Sequence, residues 1–138
     1  MQLSEAEARG RLAAARVARL ATVGGDGAPH LVPITFALEG DLIYTAVDHK
    51  PKSTRDLRRL RNIAQNPQVA LLADEYSDEW DALWWVRADG RARVITDAAA
   101  MRHPIDSLVA RYSQYRARRP EGPVVVIRVE RWTGWSAT

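Results

Sequence analysis

The sequence predicts a small antiparallel β-barrel with flanking helices, a fold that is mainly β with some α. Three observations carry that expectation. Short apolar stretches follow one another closely, separated by turns such as Gly24–Pro29 and Glu39–Asp41. The order they give is helix, three strands, helix, two or three strands, helix, strand, which suits a small barrel better than an alternating parallel sheet. No internal repeat, low-complexity tract or interior linker divides the chain, so residues 1–138 are expected to form one domain.

Taken in order, Ser4-Glu5-Ala6-Glu7 is a capping-box pattern that opens an Ala/Arg-rich helix, with Leu3, Ala8, Leu12 and Ala15 as its buried stripe. Gly10 weakens that helix without forbidding it. Arg16–Val23 alternates as a strand, and the glycines of Gly24–Pro29 supply a hairpin turn. No Lys-Ser/Thr follows those glycines and no G-x-G-x-x-G is present, so a phosphate-loop reading gives way to the plain hairpin. His30–Leu38 reads as one second strand. Within it Pro33 cannot donate to a ladder, which marks an edge, a bulge or a place where a ligand replaces the neighbour.

Leu42–Val47 is the third strand. Pro67–Tyr76 is a continuous apolar run that suits a strand buried on both faces. Ala82–Thr96 reads as one long bent strand with a bulge or corner at Asp89–Gly90. Within it Trp84 and Trp85 must point to opposite faces, so one enters the barrel and the other covers its outside, as a subunit interface or lid would require. Asp97–Tyr115 is a helix started by Thr96 or Asp97 and interrupted near His103–Pro104. Val124–Val129 is the last strand, and Glu130–Thr138 carries Trp132 and Trp135 to the end.

Composition removes several classes of function. The chain has 138 residues and no cysteine, which excludes disulfides, thiolate metal sites and cysteine nucleophiles, and fits a cytoplasmic protein. No apolar run approaches membrane-spanning length, and the polar N-terminus is not a secretory signal. A formal net charge of +3 could suit nucleic acid, a membrane surface or an acidic small molecule. The basic residues are spread apart from one cluster at Lys50–Arg61, which favours a local anionic ligand over a nucleic-acid track. His30, His49 and His103 show no metal-ligand spacing, and no serine has a nucleophile-elbow context. Asp74/Glu75 and Asp78/Glu79 read as a solvated acidic face. If the chain does chemistry, a cofactor carries it. A core this modest also makes dimerisation a natural supplement.

The stretch around which the rest is organised runs from Leu42 to Pro67, LIYTAVDHKPKSTRDLRRLRNIAQNP. A strand enters a loop bearing Lys50, Lys52, Ser53 and Thr54, and an arginine-rich helix follows with Arg55, Arg58, Arg59 and Arg61, its apolar face given by Leu57, Leu60, Ile63 and Ala64. Lysine ammonium groups and helix-start amides both suit a phosphate. The alternative is a solvated basic loop with a helix cap at Ser53 or Thr54.

Three segments resemble the pyridoxamine-phosphate-oxidase-like flavin and deazaflavin proteins: G-x-P-H-x-V-P-I-T-F at Gly27–Phe36, D-L-I-Y-T-A-V-D-x-K-P-K at Asp41–Lys52 and N-P-Q-V-A-L-L at Asn66–Leu72. D-x-L-W-W-V-R-A-D-G-R-A at Asp81–Ala92, R-Y-x-Q-Y at Arg111–Tyr115 and T-G-W at Thr133–Trp135 resemble an actinobacterial-type subgroup of coenzyme F420-dependent oxidoreductases. The resemblance implies a split β-barrel homodimer with two cofactor sites at the subunit interface. It nominates Lys50, Lys52, Ser53 and Thr54 for the cofactor phosphate. It further nominates Val32, Pro33, Thr35, Tyr44, Thr45 and Ala46 for the ring, and Trp135 for the partner's site. The cofactor implied is coenzyme F420, with flavin mononucleotide (FMN) as the alternative, since His30–Thr35 stands where the oxidases proper carry R-x-V-L-L-K. A non-catalytic cofactor carrier is the reading from a different class. The substrate is an unidentified small organic molecule, no nucleic-acid partner and no membrane span are expected, and no proton donor is assigned, Tyr44 and water being no more than candidates.

Overall fold

The computed structural model describes residues 1–47 and 57–138. Its elements run α1 (Glu5–Ala14), β1 (Ala18–Val23), β2 (Pro29–Ile34), β3 (Ala37–Glu39), β4 (Leu42–Ala46), α2 (Arg58–Gln65), β5 (Gln68–Glu75), β6 (Trp84–Ile95), α3 (Ala98–Arg111), α4 (Ser113–Ala117) and β7 (Val124–Ser136). The strands form one antiparallel seven-stranded sheet in the order β2-β1-β5-β6-β7-β4-β3.

That order closes the sheet on itself. The two edge strands, β2 and β3, are consecutive in sequence with only Thr35 and Phe36 between them. Three Cα–Cα steps of about 3.80 Å hold Ile34 and Ala37 within roughly 11 Å, so opposite edges of the sheet must curl to meet. They meet without pairing, and the result is a barrel with an open seam.

The barrel interior holds Leu20, Phe36, Ile43, Leu71, Val86 and Ile127, all essentially inaccessible to solvent. Leu3, Ala8 and Leu12 of α1 and Ile63 of α2 join the same cluster. Ser4 caps α1 as the sequence predicts: its hydroxyl accepts from the Glu7 N–H at 3.1 Å, and the Glu7 carboxylate accepts from the Ser4 N–H at 2.8 Å. A second cluster, including Tyr44, Ile105, Leu108 and Tyr112, joins α3 to the outside of β3, β4 and β7.

The predicted bulge is present. The β6–β7 register shifts between Asp89 and Gly90, and a Cβ on Gly90 would stand 2.3 Å from the Arg128 carbonyl oxygen, so a residue without a side chain is needed there. Pro33 lies on the edge strand β2, as its missing N–H requires. Trp84 packs toward the interior and Trp85 lies on the other face with Leu72, Tyr76 and Arg87.

Five expectations change. The predicted second strand is two, because the chain turns at Thr35–Phe36. β5 is buried on one face only: Val69, Leu71 and Ala73 point inward, while Leu72 is 37 % exposed, since the described helices pack elsewhere. α3 continues through Pro104, whose ring is buried with Ile105 and Leu108, so packing holds the helix across the missing hydrogen bond; the interruption falls at Tyr112 instead. α2 buries Asn62 and Ile63, leaves Leu57 and Leu60 half-buried and exposes Ala64, whereas the predicted start at Arg55 lies outside the described residues. β7 extends through Trp132 and Trp135 because β6 offers it a partner along that whole length.

Candidate functional site

The seam between β2 and β3 has backbone groups that no neighbouring strand satisfies, and side chains take that role. The phenol of Tyr112 accepts from the Phe36 N–H at 3.1 Å and lies 2.9 Å from both the Phe36 and Arg16 carbonyl oxygens, to either of which it gives its single proton. Thr45 donates its hydroxyl to the Thr35 carbonyl at 2.8 Å. Thr35 Oγ1 and Tyr115 Oη stand 2.7 Å apart. Arg111 donates to the Ala15 carbonyl and places its guanidinium 4.8 Å from the Phe36 ring centre. Tyr112 reaches the seam because it is the extended residue, φ −118° and ψ 119°, between α3 and α4.

Two clefts open on this seam. The first, of about 480 Å³, is lined by Val17, Val32, Pro33, Ile34, Thr35, Thr45, Ala46 and Arg59. Apolar side chains line it together with Thr35, Thr45 and Arg59, a composition that suits a flat organic ring. The second, of about 420 Å³, is lined by Arg16, Thr35, Tyr112, Gln114 and Tyr115. Thr35 borders both. A third opening, of about 580 Å³, lies between the β1–β2 turn and α2 at Gly25, Asp26, Arg58, Arg61, Asn62 and Gln65. There the Gly25 N–H donates to the Gln65 side-chain oxygen Oε1 at 2.7 Å and Arg58 lies 4.0 Å from Asp26.

Of the residues the sequence nominates, Val32, Pro33, Thr35, Thr45 and Ala46 come together in the first cleft. Tyr44 does not join them. It is buried against α3 on the α3-facing side of β4; its hydroxyl donates to Glu39 at 2.7 Å, and its ring meets that of His103 edge-on at 5.9 Å. Burial, then the hydrogen bond to Glu39 and that carboxylate's charge, push the Tyr44 phenol up to about 12. Glu39 is held below the usual carboxylate range by the Tyr44 hydrogen bond first and by His103, 2.9 Å away, second. Trp135 lies opposite Trp85 on β6, away from the cleft of its own chain. Lys50, Lys52, Ser53 and Thr54 fall outside the described residues, but the segment that carries them leaves β4 at Ala46 and re-enters α2 beside Arg59, and both of those residues line the cleft.

Sequence reasoning missed Val17, Arg59, Arg16, Tyr112, Gln114 and Tyr115 as lining residues. The R-Y-x-Q-Y run was visible, with its tyrosines three residues apart, but nothing local announces that they reach a seam some eighty positions earlier. Among the described residues no group of three histidine or acidic side chains is placed to hold a metal ion, and no helix is long and apolar enough to cross a membrane.

A family model described as pyridoxamine 5'-phosphate oxidase matches residues 4–136. A 5a,11a-dehydrotetracycline/5a,11a-dehydrooxytetracycline reductase of Streptomyces rimosus is 35% identical over 57 residues, which cover 41% of this chain and 39% of that protein. The match therefore spans well under half the length of that curated relative. Among solved structures, an FAD-binding protein of Mesorhizobium loti is 25% identical with a TM-score of 0.72, covering 97% of this chain and 95% of the other. A heme storage protein of Vibrio cholerae is similar in fold alone, at 17% identity and a TM-score of 0.71, covering 95% and 90% of the two chains.

Proposed function

The chain belongs to the pyridoxamine 5'-phosphate oxidase family, and we propose that it is a cytoplasmic, single-domain oxidoreductase that holds coenzyme F420 in the seam cleft and exchanges a hydride with a small organic substrate. The observation that carries this reading is the meeting of Val32, Pro33, Thr35, Thr45 and Ala46 in one largely apolar cleft beside the ends of the lysine-bearing segment. A flat ring fits between β2 and the end of β4. A phosphate on its side chain would then fall to Lys50, Lys52, Ser53 and Thr54, and an acidic tail beyond it to the arginines of α2. When bound, the coenzyme supplies hydride transfer; the protein's part is to orient the ring and exclude water from one face.

Dimerisation belongs to the same proposal. The outer face of β2, β1 and β5 presents Leu31, which is 66 % exposed, with Ala21 and Leu72. Trp85 of β6 continues that face, and Trp135 stands in register with it. A second copy seated on this face would put Trp135 at the interface, from which it could reach the partner's cleft. Arg19, Asp74, Arg87 and Asp89 share that face in two ion pairs, so the interface would join apolar contact to charge.

The runner-up is a flavin, FMN or FAD, in the same cleft, favoured by the likeness to an FAD-binding protein. Titration of cofactor-free protein with coenzyme F420, FMN and FAD in parallel separates the readings. Tightest binding of coenzyme F420 is expected; tighter binding of a flavin selects the runner-up, and binding of none overturns the site. Lys50 and Lys52 are the chain's only lysines. Their joint replacement by alanine is expected to weaken the preferred cofactor at least tenfold, and unchanged affinity would remove them from the phosphate site. A carrier would bind the coenzyme yet turn over no acceptor.

A further inference from the structure

We propose that the hydrogen bond between Asn62 and Thr22, helped by Gln65 on the β1–β2 turn, pins the rotation of α2 and so aims Arg59 at the first cleft. Asn62 is then a positioning residue for an anionic group of the coenzyme. This rests on the reading of the first cleft as the coenzyme site.

Apolar contact holds α2 only weakly. Within Arg58–Gln65 the buried residues are Asn62 and Ile63. Ile63 joins the barrel's apolar cluster, and Leu60 packs half-buried against it. Leu57, just ahead of the helix, supplies no side-chain cap. The third opening lies between α2 and the turn, and the Arg58–Asp26 pair beside it is exposed and 4.0 Å long, so it adds little. One fully buried apolar side chain lets a short helix roll about its own axis.

A buried polar contact stops that roll. Asn62 Nδ2 donates to Thr22 Oγ1 at 3.1 Å, and the two residues are 5 % and 1 % exposed. Rolling the helix carries the amide away from the hydroxyl and leaves both groups desolvated without a partner. A single buried polar residue fixes the register of coiled-coil helices in the same way. Three residues on, Gln65 Oε1 accepts from the Gly25 N–H at 2.7 Å. The turn is shaped to receive these amides. A Cβ on Gly24 would lie 2.6 Å from Asn62 Oδ1, and one on Gly25 3.2 Å from Gln65 Oε1. Neither glycine has a positive φ, so what requires them is the close approach of α2 rather than the backbone of the turn.

Arg59 stands one helical turn before Asn62 and Ile63, on the same side of α2. It is half-buried and lines the first cleft with Val32, Thr35 and Thr45. A roll that breaks the Asn62–Thr22 bond therefore swings Arg59 off the cleft. The loss falls on the ligand's charge and not on its ring, whose walls belong to β2 and β4.

The test uses the full chain and two probes, coenzyme F420 and the same deazaflavin cut back to its ribityl chain, without phosphate or acidic tail. The Thr22→Val/Asn62→Leu variant replaces both buried polar partners by apolar groups of similar shape, so its denaturant midpoint should stay near that of wild type. It is expected to bind coenzyme F420 about tenfold more weakly, the order of one charge-assisted hydrogen bond, and the phosphate-free probe within about twofold of wild type. Gly24→Ala, which presses on the Asn62 amide from the turn, should show the same split. Thr22→Ser keeps the accepting hydroxyl and should keep the coenzyme's affinity. In an Arg59→Gln background the double variant should add less than about twofold, because the pin acts through Arg59. Amide exchange over residues 58–65 of the cofactor-free protein should quicken in the double variant while β6 is unchanged. Unchanged coenzyme affinity in both pin variants, equal losses for the two probes, a Thr22→Ser loss as large as the double variant's, or losses additive with Arg59→Gln would overturn the proposal. If a flavin binds wild type more tightly, FMN and riboflavin serve as the two probes with the same expectations. Wild type that binds neither class would overturn the coenzyme reading and this proposal with it, and the exchange measurement would still report whether the pin holds α2.

Discussion

The β6–β7 ladder and the β2–β3 seam close the same barrel by opposite means. β6 and β7 pair without a gap from Trp84 and Ser136 to Ile95 and Val124, accommodating one register shift at Gly90. At the seam there is no ladder. Tyr112, Thr45 and Tyr115 supply the hydrogen bonds, and apolar contact around Phe36 supplies the cohesion. A continuous ladder satisfies every backbone group and leaves no room for a ligand. A seam stitched by side chains leaves clefts on both sides of the stitches. The site is therefore where the sheet fails to pair, and the hydroxyls that repair the backbone also line the cavity.

That contrast can be broken at either end. The largest effect is expected from Phe36→Ala, which empties the seam's fully buried anchor and should cost about 3–5 kcal/mol in denaturant unfolding. A loss near zero would show that the seam does not hold the barrel. Gly90→Ala tests the ladder. Its Cβ meets backbone rather than a side chain that could move aside, so a loss of about 3 kcal/mol is expected, with coenzyme affinity per folded molecule unchanged. Weakened binding there would tie the ladder to the site. Tyr112→Phe sharpens the comparison, because it leaves the Phe36 backbone groups without their partner. A stability loss of about 1–3 kcal/mol should accompany weaker coenzyme binding, and stability loss without binding loss would separate the stitch from the site.

The smallest effect concerns the tie between the β3–β4 hairpin and α3. The folded protein holds the Glu39 carboxyl below its unfolded value through Tyr44 and then His103, so the stabilisation is present above that unfolded value, about pH 4.3, and is lost as pH falls through the lower folded value. Glu39→Gln should flatten the stability profile in that acid window and leave neutral-pH binding unchanged. A profile that superimposes on wild type would show that the tie carries no linkage.

Legibility divides along the same line. Features written within a few residues were readable: the Ser4–Glu7 capping box, the bulge at Asp89–Gly90, Pro33 on an edge, the opposite faces of Trp84 and Trp85, and the Asp97 cap of α3. The break at Thr35–Phe36 was not. His30–Leu38 is apolar throughout, and the group that satisfies the broken backbone, Tyr112, lies 76 residues further on. The half-exposed face of β5 escaped for a related reason: an apolar run does not say whether a helix or a second copy covers it. Five of the nominated ring residues share a cleft because they sit at adjacent strand ends, whereas Tyr44, on the same side of β4 as Ala46, stands two residues back from that end and is covered by α3.

Hydrogen exchange with and without saturating coenzyme tests the central claim most directly. The account predicts slowed exchange in peptides covering residues 29–36 and 42–47, with Val86–Ile95 and Val124–Arg131 of the ladder unchanged. Protection confined to the ladder, with the seam exchanging as in the free protein, would contradict it.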